Sequence, residues 1–172
     1  MLNSSASPIN KRALRQQIRK QRRSISPANQ KKASRCLLTQ LYRSKLLLRH
    51  NFIALYLGSD GELNPEHLIK LLWRYKKHVY LPVIHPFSNR TLFFCRIQAH
   101  TPLIANKFGI LEPDLKHTQR LPKHLISLVL MPLVAFDKKG NRMGMGGGFY
   151  DKSFAYKLSK GVPHKPKLIG IA

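Results

Sequence analysis

The first patterned stretch, KRALRQQIRKQRR (11–23), is polar almost throughout, with Leu14 and Ile18 at helical spacing. It reads as a helix with a thin apolar stripe and a nearly continuous positive surface. Ser26 and Pro27 supply an N-cap and a first-turn proline. They open a second helix whose buried face is expected at Ala33, Leu37 and Leu41. FIALYL (52–57) has the length and apolar character of a strand, and the loop GSDGELN follows it. Asn64-Pro65 then starts a helix through LIKLLWRY, and HVYLPVI (78–84) predicts the next strand. A strand, loop, helix and strand in that order predict a right-handed parallel unit. After the turn HPFSN, TLFFCRI (91–97) predicts a strand antiparallel to its predecessor. Residues 98–124 read as irregular, punctuated by Pro102, Pro113 and Pro122. LISLVLMPLVAFD predicts a buried strand that delivers the chain into a glycine-rich loop. FYDKSFAYKL predicts a helix, and KLIGIA (167–172) the start of another strand that ends in mid-run, so a further C-terminal segment is expected. No internal repeat or low-complexity tract interrupts this order.

Composition sharpens the picture in one respect. The 172 residues suffice for one domain with a proper core, and 43% hydrophobic content is ordinary. The charge is not: 31 Lys and Arg face seven Asp and Glu, for a net +24. No acid precedes Asp60, while thirteen Lys or Arg do. Such a surface attracts polyanions, whether nucleic acid, acidic membrane, nucleotides or small polycarboxylates, unless it is merely solvated. Cys36 and Cys95 have no metal-ligand spacing and make no disulfide framework. The N-terminal residues lack the basic and apolar regions of a signal peptide, and the longest apolar run is too short and proline-broken to span a bilayer. A reduced, cytoplasmic, soluble protein is expected.

The loop GNRMGMGGGFYDKSF (140–154) gathers five of the ten glycines into nine positions. A strand, a glycine turn and a helix start form a recipe for holding phosphate, because backbone N–H groups converge where no side chain stands in the way. The loop has no GxxxxGK[ST] and lacks the third spaced glycine of GxGxxG, so neither the P-loop nor the dinucleotide fingerprint applies. A tight turn without a ligand is the plainer alternative. Arg142 and Asp151 flank the glycines and favour a ligand: a guanidinium grips phosphate oxygens through two donors, and a carboxylate can share magnesium with a nucleotide.

The run PLVAFDKKGNRMGMGGGFYD resembles the signature of the 5-formyltetrahydrofolate cyclo-ligase family. KRALR (11–15), YLGSDGELNPEHLI (56–69) and KFGILEP (107–113) resemble further family stretches in the same order. With the element order, the resemblance implies an α/β fold, a single three-layer domain with a mostly parallel central sheet flanked by helices. That domain would span 11–172, lack its C-terminal part, and follow a disordered tail at 1–10. The implied activity is cyclisation of 5-formyltetrahydrofolate to 5,10-methenyltetrahydrofolate, with ATP as co-substrate and Mg²⁺ as cofactor. In it the formyl oxygen attacks the γ-phosphate, and N10 closes onto the phosphorylated imidate with loss of phosphate.

The resemblance also implies roles. Lys11 and Arg15, one helical turn apart, and Arg142 stabilise phosphate. ATP contacts run through Lys11, Arg12, Ala13, Leu14 and Arg15, and then through Arg142, Met143, Gly144, Met145, Gly146, Gly147, Gly148, Phe149 and Tyr150. Leu57 and Glu62 contact folate, with Phe108 as an aromatic wall and Met145 to Phe149 shared between the two ligands. Met145 stands where some family members carry Arg or Tyr. Asp151 is the implied magnesium ligand, and the family's second metal carboxylate lies beyond the last residue here. Each has a plainer reading: solvated charges for Lys11 and Arg15, a helix cap or salt bridge for Asp151, a pair with a nearby base for Glu62, and core packing for Phe108. The partners expected are folate and ATP, acting on a monomer, with no membrane. Two rival readings are a basic RNA-binding module, which lacks base-stacking aromatics in 11–23, and a non-catalytic folate or nucleotide binder.

Overall fold

The computed structural model describes residues 10–88, 90–159 and 166–172. The tail expected at 1–10 therefore lies outside it except for Asn10. That residue caps helix α1 (Lys11–Arg23), its side-chain oxygen accepting from Arg12 N and Ala13 N at 3.1 Å each. Ser26 caps α2 (Pro27–Arg43) as expected, accepting from Asn29 N at 3.4 Å. The buried face of α2 is offset from the expected one: Ser34 and Leu41 are buried, Leu37 and Leu38 half-buried, and Ala33 exposed.

Strand β1 (Phe52–Ala54) leads through α3 (Glu66–Arg74) to β2 (His78–Ile84), and β3 (Leu92–Ile97) returns antiparallel, in six-residue register from Val79↔Ile97 to Ile84↔Leu92. The region read as irregular holds a two-stranded ribbon, β4 (Leu103–Ala105) with β5 (Leu111–Pro113), and a short edge strand β6 (Arg120–Leu121). The single strand expected over 125–137 divides into β7 (Leu128–Pro132) and β8 (Ala135–Phe136), which pairs with β9 (Arg142–Met143). The helix expected at 149–158 is α4 (Phe149–Ser153) followed by a 3-10 turn at Ala155–Leu158, and β10 (Lys167–Ile171) ends the described chain.

The six-stranded sheet runs β10-β7-β1-β2-β3-β6, and β10, β7, β1 and β2 are mutually parallel. Side-chain alternation sends successive residues to opposite faces. Ile53, Val79, Leu81, Leu128 and Leu130 meet Leu41 of α2 and Leu68 and Leu72 of α3 on one face. Ala54, Tyr80, Phe94, Val129 and Met131 meet Ile126 and Phe154 on the other. The three layers and the mostly parallel sheet are as expected. No helix among the described residues is long and apolar enough to cross a membrane.

Packing is tight where β10 meets the turn after β7. A β-carbon at Gly170 would lie 2.2 Å from Leu133 Cδ1 and 2.9 Å from its Cγ, and Leu133 is buried. Gly170→Ala is therefore expected to cost about 1–3 kcal/mol by overpacking. Urea unfolding checks this as a lower midpoint at unchanged slope.

Candidate functional site

The parallel strand order places β1 between β2 and β7. The chain thus leaves β1 in one direction across the sheet and reaches β7 on its other side. In open α/β sheets the crevice beyond the carboxyl ends of two such strands is where ligands sit. Two loops bound it here, residues 55–64 after β1 and the segment from β8 to α4 after β7.

In the first loop Leu57 is half-buried against the core. Glu62 folds back on its own turn, its Oε2 accepting from Ser59 N at 3.1 Å and Ser59 Oγ at 3.3 Å. Its side chain is only 8% exposed, with Arg22 Nη1 4.0 Å from Oε1. Burial raises its pKa above the ordinary range, against the opposing pull of Ser59 and Arg22. Tyr56 donates to Leu63 O at 3.0 Å. Burial and the Glu62 charge hold the Tyr56 phenol protonated well above its usual range. Tyr150, half-buried at the start of α4, is pushed upward by burial and by the Glu62 and Tyr56 charges.

The glycine loop bends at Gly146 and Gly148, whose φ values of +100° and +67° suit glycine. Arg15 Nε donates to Gly144 O at 2.9 Å, and a β-carbon at Gly146 would sit 3.7 Å from the Arg15 guanidinium carbon. The N-terminal half of α1 thus lies against the loop, with Leu14 half-buried and Lys11, Arg12 and Ala13 exposed. Arg142, at the start of the loop, pairs with Asp151 just after it. Met143 is half-buried and Met145 is 47% exposed. Gly147 lies against Phe149, where a β-carbon would come within 2.7 Å of the ring. Phe149 in turn meets Phe108 edge-on, with centroids 6.2 Å apart. Because α4 has only five residues, its dipole is smaller than the longer expected helix would supply, and the loop amides themselves carry more of any anion binding.

A second feature escaped the sequence reading. Asp60, in a left-handed conformation (φ 51°), receives three arginines of α1. Arg19 Nε reaches Oδ2 at 2.6 Å and Arg22 Nη2 the same oxygen at 3.1 Å, while Arg23 pairs with Oδ1. Arg22 also donates to Asp60 O at 3.0 Å and to Leu133 O at 3.5 Å. Next door, a β-carbon at Gly61 would come within 3.2 Å of the Arg22 carbonyl. The signal available was Asp60 itself, the first acid after thirteen bases, in an Asp-Gly turn. Helix α1 is therefore fastened to both walls of the crevice, through Asp60 and through Gly144.

The profile of the 5-formyltetrahydrofolate cyclo-ligase family matches residues 8–172. The chain belongs to this family. A Haemophilus influenzae 5-formyltetrahydrofolate cyclo-ligase is 43% identical over 140 residues, covering 81% of this chain and 75% of that one. The Escherichia coli K12 cyclo-ligase is 40% identical over 136 residues, 79% of this chain and 75% of that enzyme. Among solved structures, the Aquifex aeolicus 5,10-methenyltetrahydrofolate synthetase superposes with a TM-score of 0.74 at 26% identity, over 94% of this chain and 77% of that one. The Mycoplasma pneumoniae synthetase shares the fold, at a TM-score of 0.68 and 22% identity. In this cyclo-ligase chain the expected site residues converge from three places: the N-terminal helix, the Glu62 loop, and the glycine loop with Phe108 beside it.

Among the described residues, no group of three or more His, Cys, Asp or Glu could hold a metal ion. Asp151 offers a single exposed carboxylate.

Proposed function

We propose that the chain cyclises 5-formyltetrahydrofolate to 5,10-methenyltetrahydrofolate at the expense of ATP, with the crevice between the two loops as its site. The observation that carries this reading is the meeting of α1, the Glu62 loop and the glycine loop at the switch point, sealed by the Arg15–Gly144 bond of 2.9 Å. A nucleotide triphosphate would lie along the backbone amides of Gly144–Gly148, with Lys11, Arg15 and Arg142 about its phosphates. Arg12, Ala13 and Leu14 would complete the nucleotide side from α1, and Met143, Met145, Phe149 and Tyr150 from the loop. Glu62 would take the amino-pyrimidinone edge of the pterin through two parallel N–H bonds, beside Leu57 and the Phe108–Phe149 pair. No side-chain nucleophile is needed. The protein orients two anionic ligands and spreads the charge of the moving phosphoryl group over arginines, lysine and amides.

One carboxylate at the rim suits magnesium, which binds nucleotides through one or two protein carboxylates and otherwise through phosphates and water. Asp151 would be that ligand, exchanging Arg142 for the ion and freeing the guanidinium for phosphate. Bound there, the ion would neutralise phosphate charge. We take the protein to act as a cytoplasmic monomer, a single domain over 11–172. A polyanion-binding role for α1 finds less support, since Arg15, Arg19, Arg22 and Arg23 turn to partners within the chain.

The test is the near-ultraviolet band of methenyltetrahydrofolate, followed from 5-formyltetrahydrofolate with ATP and Mg²⁺. Product that requires ATP supports the reading; a folded chain that binds both ligands and yields none sinks it in favour of a non-catalytic binder.

Glu62 gives a pH signature. Its folded pKa lies above that of an ordinary glutamate because of burial, and the ionised form is the one that accepts pterin N–H bonds. The value of kcat/KM for folate is therefore expected to fall as pH drops through that raised pKa, tenfold per pH unit at the limit. In Glu62→Gln this limb should vanish and kcat/KM should be low throughout. A limb that survives the substitution assigns it to another group.

A further inference from the structure

The ribbon of β4 and β5 carries Phe108 at its tip, yet almost nothing apolar holds it down. All three β4 residues and Leu111 are exposed, and of the six strand residues only Pro113 is buried. With so little burial, polar contacts decide where the ribbon sits. One carboxylate makes them. Glu112 Oε2 accepts from Ile84 N in β2 at 3.2 Å and from Asn106 Nδ2 at 3.1 Å. Asn106 Oδ1 then accepts from Phe108 N at 2.9 Å and Ile110 N at 3.1 Å, and Gly109 completes the turn at φ +73°. Among the described residues, the Ile84–Glu112 bond is the only hydrogen bond from 103–113 to the six-stranded sheet.

The sheet geometry explains why Ile84 needs this partner. Alternate residues of β2 present their backbone groups to the same neighbour. Tyr80 faces β1, where its carbonyl accepts from Leu55 N at 3.0 Å, and Ile84 faces the same way. By then β1 has ended at Ala54, so no strand remains to take the Ile84 amide. The free lane beside β2 opens at the carboxyl end of the sheet, where the crevice lies. Glu112 fills it and anchors the ribbon there.

We propose that Glu112 is a positioning residue: through Asn106 it sets the Phe108 turn against Phe149, and so fixes the aromatic wall on the folate side. The role rests on the reading of Phe108 as that wall. It is tested in the full chain with Glu112→Ala, Asn106→Ala, Phe108→Ala and the Phe108→Ala/Glu112→Ala pair, using KM for 5-formyltetrahydrofolate, KM for ATP, and amide hydrogen exchange. Glu112→Ala and Asn106→Ala should each raise the folate KM by about five- to tenfold, the scale of one lost polar contact, and leave the ATP KM within about twofold. In the Phe108→Ala background Glu112→Ala should add less than about twofold, because the two act in series. Without ligands, the Phe108 and Ile110 amides should exchange at least about tenfold faster in both single variants. Unchanged exchange overturns the proposal, as does an equal folate effect with and without Phe108, which would place Glu112 on the substrate directly. Normal folate KM in Phe108→Ala fails the wall reading instead, and the exchange rates still decide the Glu112 anchor.

Discussion

Replacing Arg142 by alanine is expected to lower kcat by about a hundredfold or more, the scale seen when one donor to a developing charge is removed. The melting temperature stays within about two degrees of the parent, because the Arg142–Asp151 pair is a surface pair worth little to stability. The side chains are 38% and 70% exposed, and Asp151 remains hydrated when its partner is gone. In the proposed site the effect should fall on kcat, because a guanidinium at the entrance to the glycine loop would have its donors where charge moves onto a transferring phosphoryl group. A group that held ATP equally in ground and transition states would change KM alone. Arg142→Lys separates charge from geometry: lysine keeps the charge but loses the planar fork, and should recover only a small part of the rate. Steady-state kinetics with a thermal melt check all three statements. A rise in the ATP KM with kcat intact would restrict Arg142 to nucleotide binding, and parent kinetics would remove it from the site.

Asp60→Ala acts first on stability. The substitution leaves Arg22, only 13% exposed, with Glu62 at 4.0 Å as its remaining carboxylate, and frees Arg19 and Arg23 at 34% and 58% exposure. Breaking a fully buried ion pair costs about 3–5 kcal/mol. Solvent reaches two of the three arginines here, so the expected loss is about 2–3 kcal/mol, or roughly 5–10 °C in Tm for a chain of this size. The pH dependence has a definite sign. Burial opposes ionisation of Asp60, but Arg19 and Arg23 outweigh it and hold its pKa below the ordinary value. Its contribution is therefore complete above the ordinary aspartate pKa and is lost as pH falls through the lower folded value. Urea melts of parent and variant should differ by a constant amount from about pH 5 to 7 and draw together as pH falls below the ordinary aspartate pKa of about 3.9. A gap that persists undiminished in acid would assign the effect to packing. In the folded fraction both KM values should rise, since α1 touches both walls of the crevice.

Much of this was legible in the chain. Buried strands such as HVYLPVI announce themselves by length and β-branched content, and β2 spans those seven residues. The Ser26-Pro27 helix start works because capping chemistry is local. The glycine loop was legible because backbone exposure has a residue-level signature. What escaped depends on distance along the chain. The Asp60 clamp joins residues 37 to 41 apart, with no periodicity to reveal which arginines turn inward. The β4–β5 ribbon escaped because its strands are short and exposed, without an apolar alternation. The break between α4 and the 3-10 turn falls at Phe154, which is drawn into the sheet-facing core against Phe94. Tertiary packing there overrides a helical pattern.

Fastening α1 at Asp60 and at Gly144 makes a thirteen-residue helix the mechanical link between two loops. In the proposed site, a nucleotide that drew Arg15 away from the Gly144 carbonyl would shift the helix that also holds Arg22 beside Glu62. Folate engaging Glu62 would pull on the same helix from its other end. Such coupling is reciprocal: by whatever factor ATP changes the affinity for folate, folate changes the affinity for ATP.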